Sequence, residues 1–465
     1  MRELPRTITE VAQKLRAREL SAVELTDAFL EAATADPNNA WLRLEPAHAR
    51  AQAAAADARL KTPEAPVLTG VPWACKDIIG TKGITTTAAS KILEGYKPAY
   101  SATVVVRLDD RGAVMLGKTN LDEFAMGSSN ENSAYGPVSN PWDPTRVPGG
   151  SSGGSIRQPG ALSGVVGMKP TYGRVPRYGV VAFASSLDQV GPLTNSVEDA
   201  AIVCEALFGI DPHDATTIDR PVDVRRELDA GVKGLRLGVP REYFTPKGVE
   251  PGVTAAIRAA IAQFEKLGAE IVDVSLPSTD KGLAVYYIVQ PSEASANLAR
   301  YDGVRYGLRV AGTDLVDTYR KTRGAGFGPE VKRRLILGTY ALSAGYHDAY
   351  YVKAQQVRTI IKREFDAVFK TVDALITPTS PTVAFPIGSK ANDPLQMYLN
   401  DVFTLPVNIA GLPGLSMPCG LSEGLPVGLQ IIANSYEERM LFRVAAAFEA
   451  ATEHHRQHPM KDRAA

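Results

Sequence analysis

The chain has 465 residues, 45% of them hydrophobic and 22% charged, which is enough for a large hydrophobic core in one or two domains. Its 51 basic and 51 acidic residues cancel, which excludes the strongly basic composition of proteins that bind nucleic acid through charge alone. Three scattered cysteines, and no apolar stretch of the about 18 residues that a spanning helix needs, predict a cytoplasmic protein, neither exported nor embedded in a membrane.

The first part of the chain predicts helices followed by a strand. Apolar residues recur at helical spacing over residues 8–33, where Ser21 is placed to cap the second of two amphipathic helices. Residues 47–60 predict an alanine-rich helix, and residues 67–75 a short apolar strand that ends at Lys76. Taken alone, Lys76 is most simply a surface lysine at a strand terminus, with Asp77 as its partner.

Residues 112–119 match the spacing of a phosphate-binding loop, a glycine and four residues followed by Gly-Lys-Thr. The surrounding pattern argues against that function. A phosphate loop follows a strand and is flexible, whereas residues 103–111 predict a helix and residues 113–116 a buried apolar strand. We therefore reject a nucleotide-binding interpretation of this segment.

Residues 149–155 combine four glycines with three serines. Backbone amides in such a segment can converge on a developing negative charge, and a serine hydroxyl is a nucleophile when a base removes its proton. The same composition is typical of flexible linkers. It also fits the Gly-x-Ser-x-Gly turn of α/β-hydrolases, but the three prolines that precede it are incompatible with the central strand which that turn requires, and histidine is scarce after it.

The remainder alternates strands and helices, with turn-rich segments at 167–174 and 185–192. Helices are predicted at 197–208, 253–267, 286–298, 314–321, 329–337, 343–369 and 437–452, and strands at 235–240, 271–274, 374–379 and 428–432. No linker divides the chain. The pattern predicts an α/β fold in which one large domain has a mixed, mostly parallel central sheet covered by helices on both faces.

Several motifs, in this order, resemble the amidase-signature family, and within it the A subunits of the glutamyl-tRNA(Gln) and aspartyl-tRNA(Asn) amidotransferases. They run almost from end to end of the chain, at residues 74–77, 117–124, 148–155, 157–159, 169–173, Pro413 and 428–430. The resemblance implies the amidase-signature fold over residues 1–465. It places N-terminal helices at 8–60, the Lys/Ser catalytic core at 67–200, the remaining sheet and substrate-site helices at 230–452, and a polar tail at 453–465.

The resemblance also implies the catalytic residues. Lys76 is then a neutral general base, Ser151 relays the proton, and Ser155 is the acylated nucleophile. The backbone amides of Gly153 and Gly154 form the oxyanion hole. A lysine can act as a base near neutral pH only if its surroundings lower its pKa from about 10.4, and an apolar strand ending at Lys76 supplies such surroundings.

For the substrate, the resemblance implies a glutamine site at Tyr286, Arg334 and Asp401. Arg334 would bind the α-carboxylate and Asp401 the α-ammonium group, which suits a zwitterionic amino acid. Without the family resemblance, Arg334 would be read as a surface helical residue and Asp401 as a loop residue.

The implied activity is that of a glutaminase subunit, which releases ammonia from glutamine for the ATP-dependent conversion of Glu-tRNA(Gln) to Gln-tRNA(Gln). A B subunit would contact most of the tRNA and use ATP and Mg²⁺, and a small C subunit would brace the heterotrimer. The resemblance implies no metal and no cofactor bound by this chain, and no membrane partner.

One departure from the family pattern lies at residues 151–155. In the family, roughly twenty residues, forming one helix and one strand, separate the relay-serine motif from a second Gly-Gly-Ser that carries the nucleophile. Here a single Gly-Gly-Ser serves both motifs, so three residues separate Ser151 from Ser155. Two alternatives therefore stay open: a stand-alone amidase acting on another amide, and a folded but inactive scaffold subunit.

Overall fold

The computed structural model describes residues 4–150, 156–244, 248–391 and 393–459. Its strands are β1 (Trp41–Leu44), β2 (Pro72–Lys76), β3 (Val114–Thr119), β4 (Val166–Lys169), β5 (Leu193–Thr194), β6 (Arg236–Pro240), β7 (Glu270–Val274), β8 (Ala374–Pro378), β9 (Gly414–Ser422) and β10 (Leu425–Ile432). Its helices are α1 (Ile8–Arg16), α2 (Ala22–Thr34), α3 (Pro46–Arg59), α4 (Thr103–Asp110), α5 (Arg157–Ser163), α6 (Val197–Leu207), α7 (Pro251–Lys266), α8 (Gly282–Asn297), α9 (Leu315–Gly326), α10 (Pro329–Ala341), α11 (Lys353–Val368), α12 (Pro394–Leu399), α13 (Leu405–Ile409) and α14 (Glu438–Ala450).

The N-terminal helices form as the sequence predicts. Thr7 caps α1, and Ser21 with Glu24 makes a reciprocal capping box at the start of α2. Helix α3 packs on α2 and on β3 through small buried alanines. These helices cover a three-stranded sheet of order β1-β3-β2, in which β2 runs parallel and β1 antiparallel to β3.

The segment with phosphate-loop spacing is part of this sheet. Lys118 lies within the buried strand β3, and its Nζ donates to the backbone carbonyl of Ile79 and forms an ion pair with Asp77 at 3.8 Å. Its side chain is fully buried, so it cannot reach a nucleotide phosphate. The rejection of a nucleotide-binding loop is therefore confirmed.

The larger sheet has seven strands in the order β5-β4-β9-β10-β8-β6-β7. Its mixed character is as expected, but the prediction of mostly parallel strands is wrong, because only the β8–β6 and β6–β7 pairs are parallel. The reason is the hairpin β9–β10, whose turn residues Glu423 and Gly424 both have positive φ. A two-residue turn of this kind joins only antiparallel strands, and the sheet continues antiparallel on both sides of the hairpin.

The sequence analysis does not include four of the ten strands, β1, β4, β5 and β9, and for β4 and β9 the reason lies in their composition. The sequence around Gly167 indicates turns, yet this segment forms the fully buried strand β4. Strand β9 contains Pro418 and two glycines, which weaken a strand pattern. Both errors arose because proline and glycine indicate turns when a segment is considered without its neighbours.

The two sheets share one contiguous hydrophobic core, which extends from α1 to α14 and is flanked by helices. Cys75, Cys204 and Cys419 are buried and unpaired, as their scattered positions indicate. Among the described residues, no helix has the length and hydropathy needed to cross a membrane.

Candidate active site

Lys76 ends β2 and faces a cavity of about 640 Å³. Burial lowers the pKa of Lys76 to about 8, and the carboxylates of Asp122 and Asp188 only partly oppose this effect. Its amine makes no hydrogen bond or ion pair with any residue that the structure describes. The pKa of Lys76 thus lies much closer to physiological pH than that of an ordinary lysine, so a fraction of its amine is neutral there and can act as a general base.

Asp77 is not the partner of Lys76, contrary to the sequence interpretation. Successive side chains of an extended chain point to opposite sides, so Asp77 turns away from Lys76 into the core. There it pairs with Lys118 and accepts a 2.8 Å hydrogen bond from the backbone N–H of Thr87. Because Asp77 pairs with Lys118, it does not serve as a counter-ion for Lys76.

The predicted Ser151, Ser155, Gly153 and Gly154 lie outside the described residues. The chain approaches them at Gly150, which is buried against the backbone of 128–129. Gln158 of α5 fixes the backbone at Gly150 through two hydrogen bonds. Its Oε1 accepts from the Gly150 N–H at 3.0 Å, and its Nε2 donates to the Ser128 carbonyl at 2.9 Å.

Asp122 lies beside Gly150 and completes this part of the site. Its Oδ2 accepts from the Asn130 N–H at 2.9 Å, and its Oδ1 accepts from the Asn132 N–H at 3.0 Å. A Cβ on Gly150 would stand 2.5 Å from Asp122 Oδ2, which shows how closely the glycine backbone approaches the carboxylate. Because Asp122 also acts electrostatically on Lys76, Lys76 and Gly150, which leads into residues 151–155, lie in the same part of the structure.

Asp401 reaches the same locality through Ser128. The Ser128 hydroxyl donates to Asp401 Oδ2 at 2.6 Å, while Asp401 Oδ1 has no hydrogen-bond partner among the described residues. Burial raises the pKa of Asp401 to about 8, despite the opposing hydrogen bond from Ser128 and the positive charges of Arg334 and Arg157. An unused acceptor in a buried carboxyl group is suited to a cationic ligand.

Arg334 is fully buried on α10, not at the surface, and its orientation is fixed by several contacts. Its Nε donates to Glu330 Oε1 at 2.7 Å and its Nη1 to Gln290 Oε1 at 2.9 Å. The guanidinium also stacks over the rings of Tyr287 and Tyr398, with its Cζ 5.3 and 5.5 Å from their centroids. Glu330 and Gln290 are site components that the sequence prediction did not include.

Of the predicted substrate residues, Tyr286 lines the same cavity as Lys76, Gly149 and Gly150. It is buried on α8, beside Tyr287. Arg334 and Asp401 do not line that cavity, but they interact electrostatically with each other, and Ser128 connects Asp401 to the Gly150 approach. The structure thus places Tyr286 at the cavity that Lys76 and Gly150 line, and Asp401 is connected to it through Ser128 and interacts electrostatically with Arg334.

The sequence pattern of the Amidase family matches residues 24–155 and 153–442 of the chain, which together are most of its length. The chain belongs to the amidase family.

Among curated relatives, this amidase is 54% identical to the A subunit of the glutamyl-tRNA(Gln) amidotransferase of Roseiflexus castenholzii, over 97% of each chain. It is 55% identical to the protein of the same name from Chloroflexus aurantiacus, over 97% of this chain and 98% of the relative. Among solved structures, it resembles the crystal structure of the protein of that name from Thermotoga maritima, at 42% identity and a TM-score of 0.79, over 95% and 94% of the two chains.

The two family matches overlap at residues 153–155. These three residues therefore match two places in the family pattern, the end of one section and the beginning of another. The Roseiflexus alignment extends over 476 positions, more than the 465 residues of this amidase, so the relative has residues without a counterpart here. The overlap lies at the Gly-Gly-Ser at which the sequence departs from the family pattern.

Besides Glu330 and Gln290, three residues around Gly150 were not predicted as site residues from the sequence: Asp122, Ser128 and Gln158. Asp122 and Gln158 lie within the motifs at 117–124 and 157–159, and the available signal for Ser128 was the polar run at residues 127–133. A run of small and polar residues with a glycine, placed between two buried elements, is typical of a loop that carries functional residues.

Proposed function

We propose that this amidase is the glutamine-hydrolysing A subunit of a glutamyl-tRNA(Gln) amidotransferase. The observation that carries the proposal is its 54% identity to a protein of that name over 97% of both chains. The local geometry is consistent with it, because a partly buried lysine with a lowered pKa, the buried Gly150 and a carboxyl group with an unused acceptor oxygen lie near one another.

In the proposed reaction, neutral Lys76 accepts a proton that Ser151 relays from Ser155. The Ser155 oxygen then forms a bond to the carbonyl carbon of the glutamine side-chain amide, and the backbone amides of Gly153 and Gly154 stabilise the oxyanion. Collapse of this intermediate breaks the carbon–nitrogen bond, and the proton held by Lys76 returns through Ser151 to the departing ammonia. Water then hydrolyses the glutamyl ester by the reverse proton path and releases glutamate.

Substrate selection is assigned to the buried polar groups around Asp401. The unused Oδ1 of Asp401 would accept from the α-ammonium group of glutamine, and Tyr286 would contact the substrate in the cavity. Arg334 supplies the positive charge for the α-carboxylate. Its contacts to Glu330 and Gln290 keep the guanidinium in one orientation, which reduces the ordering cost of binding.

The ammonia would be used by a partner. We assign the binding of tRNA, ATP and Mg²⁺ to a B subunit, and the bracing of the assembly to a C subunit, in a cytoplasmic heterotrimer. The zero net charge of this chain is consistent with a tRNA contacted elsewhere.

The proposal is tested on the complex assembled with its B and C subunits. We expect ammonia release from glutamine and conversion of Glu-tRNA(Gln), both abolished by Ser155→Ala. Arg334→Ala should raise the KM for glutamine strongly. Arg333→Ala is the matched control, since Arg333 is the neighbouring residue on α10, is 47% exposed and also pairs with Glu330.

Each alternative gives a different result in these assays. A stand-alone amidase would hydrolyse other amides and keep its glutamine KM in Arg334→Ala. A scaffold subunit would assemble with its partners but release no ammonia.

A further inference from the structure

Two adjacent carboxyl groups, those of Asp122 and Glu123, hold different parts of the structure. Asp122 packs against the backbone of Gly150. The buried Glu123 instead accepts a 2.8 Å hydrogen bond at its Oε2 from the N–H of Gly328. Gly328 is the N-cap of α10, the helix that carries Arg334. Gly150 and the start of α10 are therefore connected through two neighbouring residues.

The contact between Glu123 and Gly328 requires a glycine at position 328. A Cβ on Gly328 would clash with Glu123 Oε2. The other carboxyl oxygen of Glu123 accepts from the Ser90 hydroxyl, whose Oγ also lies 3.1 Å from the carbonyl oxygen of Gly326. Because the carboxyl group and the hydroxyl contact backbone atoms of Gly326 and Gly328, they fix the course of the chain between α9 and α10.

Phe124 contacts the same junction between α9 and α10. Its ring centroid lies 5.8 Å from that of Phe327, the residue before Gly328. Phe124 and Ala125 have positive φ angles of 51° and 59°, which cost free energy in residues that carry a side chain. Such strained backbone persists where the surrounding packing fixes it, and it is frequent at functional sites. Two consecutive side chains, those of Glu123 and Phe124, therefore meet one junction at a strained bend of the chain.

Arg334 lies between two fixed points of α10. Beyond it, Gly338 packs directly on α8, because a Cβ there would clash with the backbone carbonyl group of Pro291. Before it, Glu330 accepts from Arg334 Nε at 2.7 Å. Gly328 precedes Glu330 by only two residues, so a displaced helix start would move Glu330 and, with it, the guanidinium of Arg334. Small displacements of a binding group have large effects on the positioning of a substrate.

We propose that Glu123 is a positioning residue for substrate selection, which holds the N-cap of α10 and so places Arg334 at the distance from Gly150 that a bound glutamine spans. Asp122 fixes the Gly150 end of this distance, and Glu123 fixes the Arg334 end. The inference rests on the proposed glutamine hydrolysis, in which Arg334 binds the α-carboxylate. Because Glu123 acts through Arg334, its loss should weaken binding of the carboxylate and leave the chemical step unchanged.

The test compares two substrates of the assembled complex. Glu123→Ala should raise the KM for glutamine at least about tenfold, with kcat within about twofold of the unmodified value. The second substrate is γ-aminobutyramide, which is glutamine without its α-carboxylate. Its kcat/KM should be equal in Glu123→Ala and the unmodified complex, because it offers Arg334 no group to bind. A variant that only loosened the fold would lower kcat/KM for both substrates alike, and this result would overturn the proposal.

Two further variants separate the position of the helix from the charge of Glu123. Glu123→Gln should keep the glutamine KM of the unmodified complex, because its amide oxygen can accept from the Gly328 N–H. Its NH2 group can donate to Ser90, whose hydroxyl then donates to Gly326. Gly328→Ala retains Glu123 but displaces its carboxyl group, so it should reproduce the KM effect of Glu123→Ala. In an Arg334→Ala background, Glu123→Ala should raise KM no further.

Glu242→Ala is the matched control. Glu242 also accepts from a serine hydroxyl and from a backbone N–H, those of Ser275 and Leu276, but at the β6–β7 end of the larger sheet. Its removal should leave kcat and the glutamine KM unchanged. An equal rise of KM in Glu242→Ala and Glu123→Ala would overturn the proposal.

Hydrogen exchange of the Gly328 amide tests the contact without catalysis. Exchange should be faster in Glu123→Ala than in the unmodified chain, and it should stay slow in Glu123→Gln. If the unmodified complex releases no ammonia from glutamine, the proposed function fails and this inference fails with it. If glutamine is hydrolysed and its KM responds to Arg334→Ala but not to Glu123→Ala, only this inference fails.

Discussion

Ser128 donates a 2.6 Å hydrogen bond to Asp401, although 273 positions separate the two residues in the sequence, and both side chains are fully buried. The bond joins the polar run after β3 to the segment between α12 and α13. It occupies one carboxyl oxygen of Asp401 and leaves the other without a partner among the described residues. Asp401 is therefore oriented before any ligand arrives.

This arrangement predicts that glutamine binding releases a proton. Burial raises the pKa of Asp401 to about 8, so at pH 7 the carboxyl group of the free site is mostly protonated. Binding of the α-ammonium group stabilises the carboxylate, and close to one proton should leave. Calorimetry of glutamine binding to the Ser155→Ala variant, in two buffers of different ionisation enthalpy, measures this number.

Asp401→Asn is the control for the calorimetric result. It has no titratable group at this position, so it should release no proton, and its affinity for glutamine should fall. Equal heats in both buffers for the protein with Asp401 intact would show that this residue does not receive the ammonium group.

How far the sequence predicts this site depends on the range of the interaction. The position of Lys76 was predicted because an apolar strand that ends in a lysine is a local pattern. Its counter-ion was not, because Asp77 is adjacent in the chain yet pairs with Lys118 on the neighbouring strand. The direction of side chains within a strand decides this point, and a linear search for the nearest opposite charge misses it.

Contacts between residues far apart in the sequence could not be predicted, for the same reason. Nothing local relates Ser128 to Asp401, or Gln158 to the Gly150 backbone that it holds. The sheet direction was misjudged because β9, with Pro418 inside it, does not resemble a strand until its pairing with β10 is known. Helices were predicted better, since their caps and periodicity lie within a few residues.

The low pKa of Lys76 predicts how glutamine hydrolysis depends on pH. Because burial lowers this pKa to about 8 and the neutral amine is the base, kcat/KM should rise with pH up to about 8 and then level off. Lys76→Ala should lose roughly 10²–10⁴-fold in kcat, the usual contribution of a general base.

Lys76→Arg separates base catalysis from charge. Arginine keeps the positive charge but does not deprotonate, so this variant should be as inactive as Lys76→Ala. The exposed Lys61→Ala is the neutral control. Activity in Lys76→Arg, or a flat profile between pH 6 and 9, would contradict the role of Lys76.

Removal of one partner of the buried ion pair between Lys118 and Asp77 should destabilise the protein strongly. Lys118→Met should lower the free energy of unfolding by about 3–5 kcal/mol, because it leaves a buried carboxylate without its partner. The double variant with Asp77→Asn should recover part of this loss. Urea denaturation provides the measurement. As a control, Lys321→Met removes a half-exposed ion pair with Asp317 and should cost less than about 1 kcal/mol.

Glu123 predicts a pH-dependent stability. Its carboxylate is buried and accepts hydrogen bonds from Ser90 and from the N–H of Gly328, the residue that caps α10. Burial raises its pKa from 4.5 to about 7, so the folded state binds more protons than the unfolded state between these values. Stability should therefore fall as the pH rises from about 4.5 to 7, by at most roughly 3 kcal/mol from this group.

Comparison with Glu123→Gln isolates this contribution from those of other carboxyl groups. Glutamine keeps the shape of the side chain but does not titrate, so the urea midpoint of the variant should decline less than that of the unmodified chain between pH 5 and 7.5. The exposed Glu19→Gln should follow the unmodified chain. Parallel curves for Glu123→Gln and the unmodified chain would show that Glu123 has its ordinary pKa.

Gly150 should tolerate no side chain, because its backbone is closely enclosed. A Cβ at this position would lie 2.1 Å from the Ser129 nitrogen, 2.3 Å from the Ser128 carbonyl carbon and 2.5 Å from Asp122 Oδ2. Two of these are backbone atoms that cannot move aside. Gly150→Ala should therefore displace the chain that leads into residues 151–155. It should remove glutaminase activity in the assembled complex and lower the Tm.

Gly324→Ala is the matched control, since no atom lies within 4 Å of its added Cβ. Because Gly324 lies in helix α9, this variant should be more stable by about 0.5–1 kcal/mol. Full activity in Gly150→Ala would mean that the tight contact between Gly150 and residues 128–129 has no part in the site.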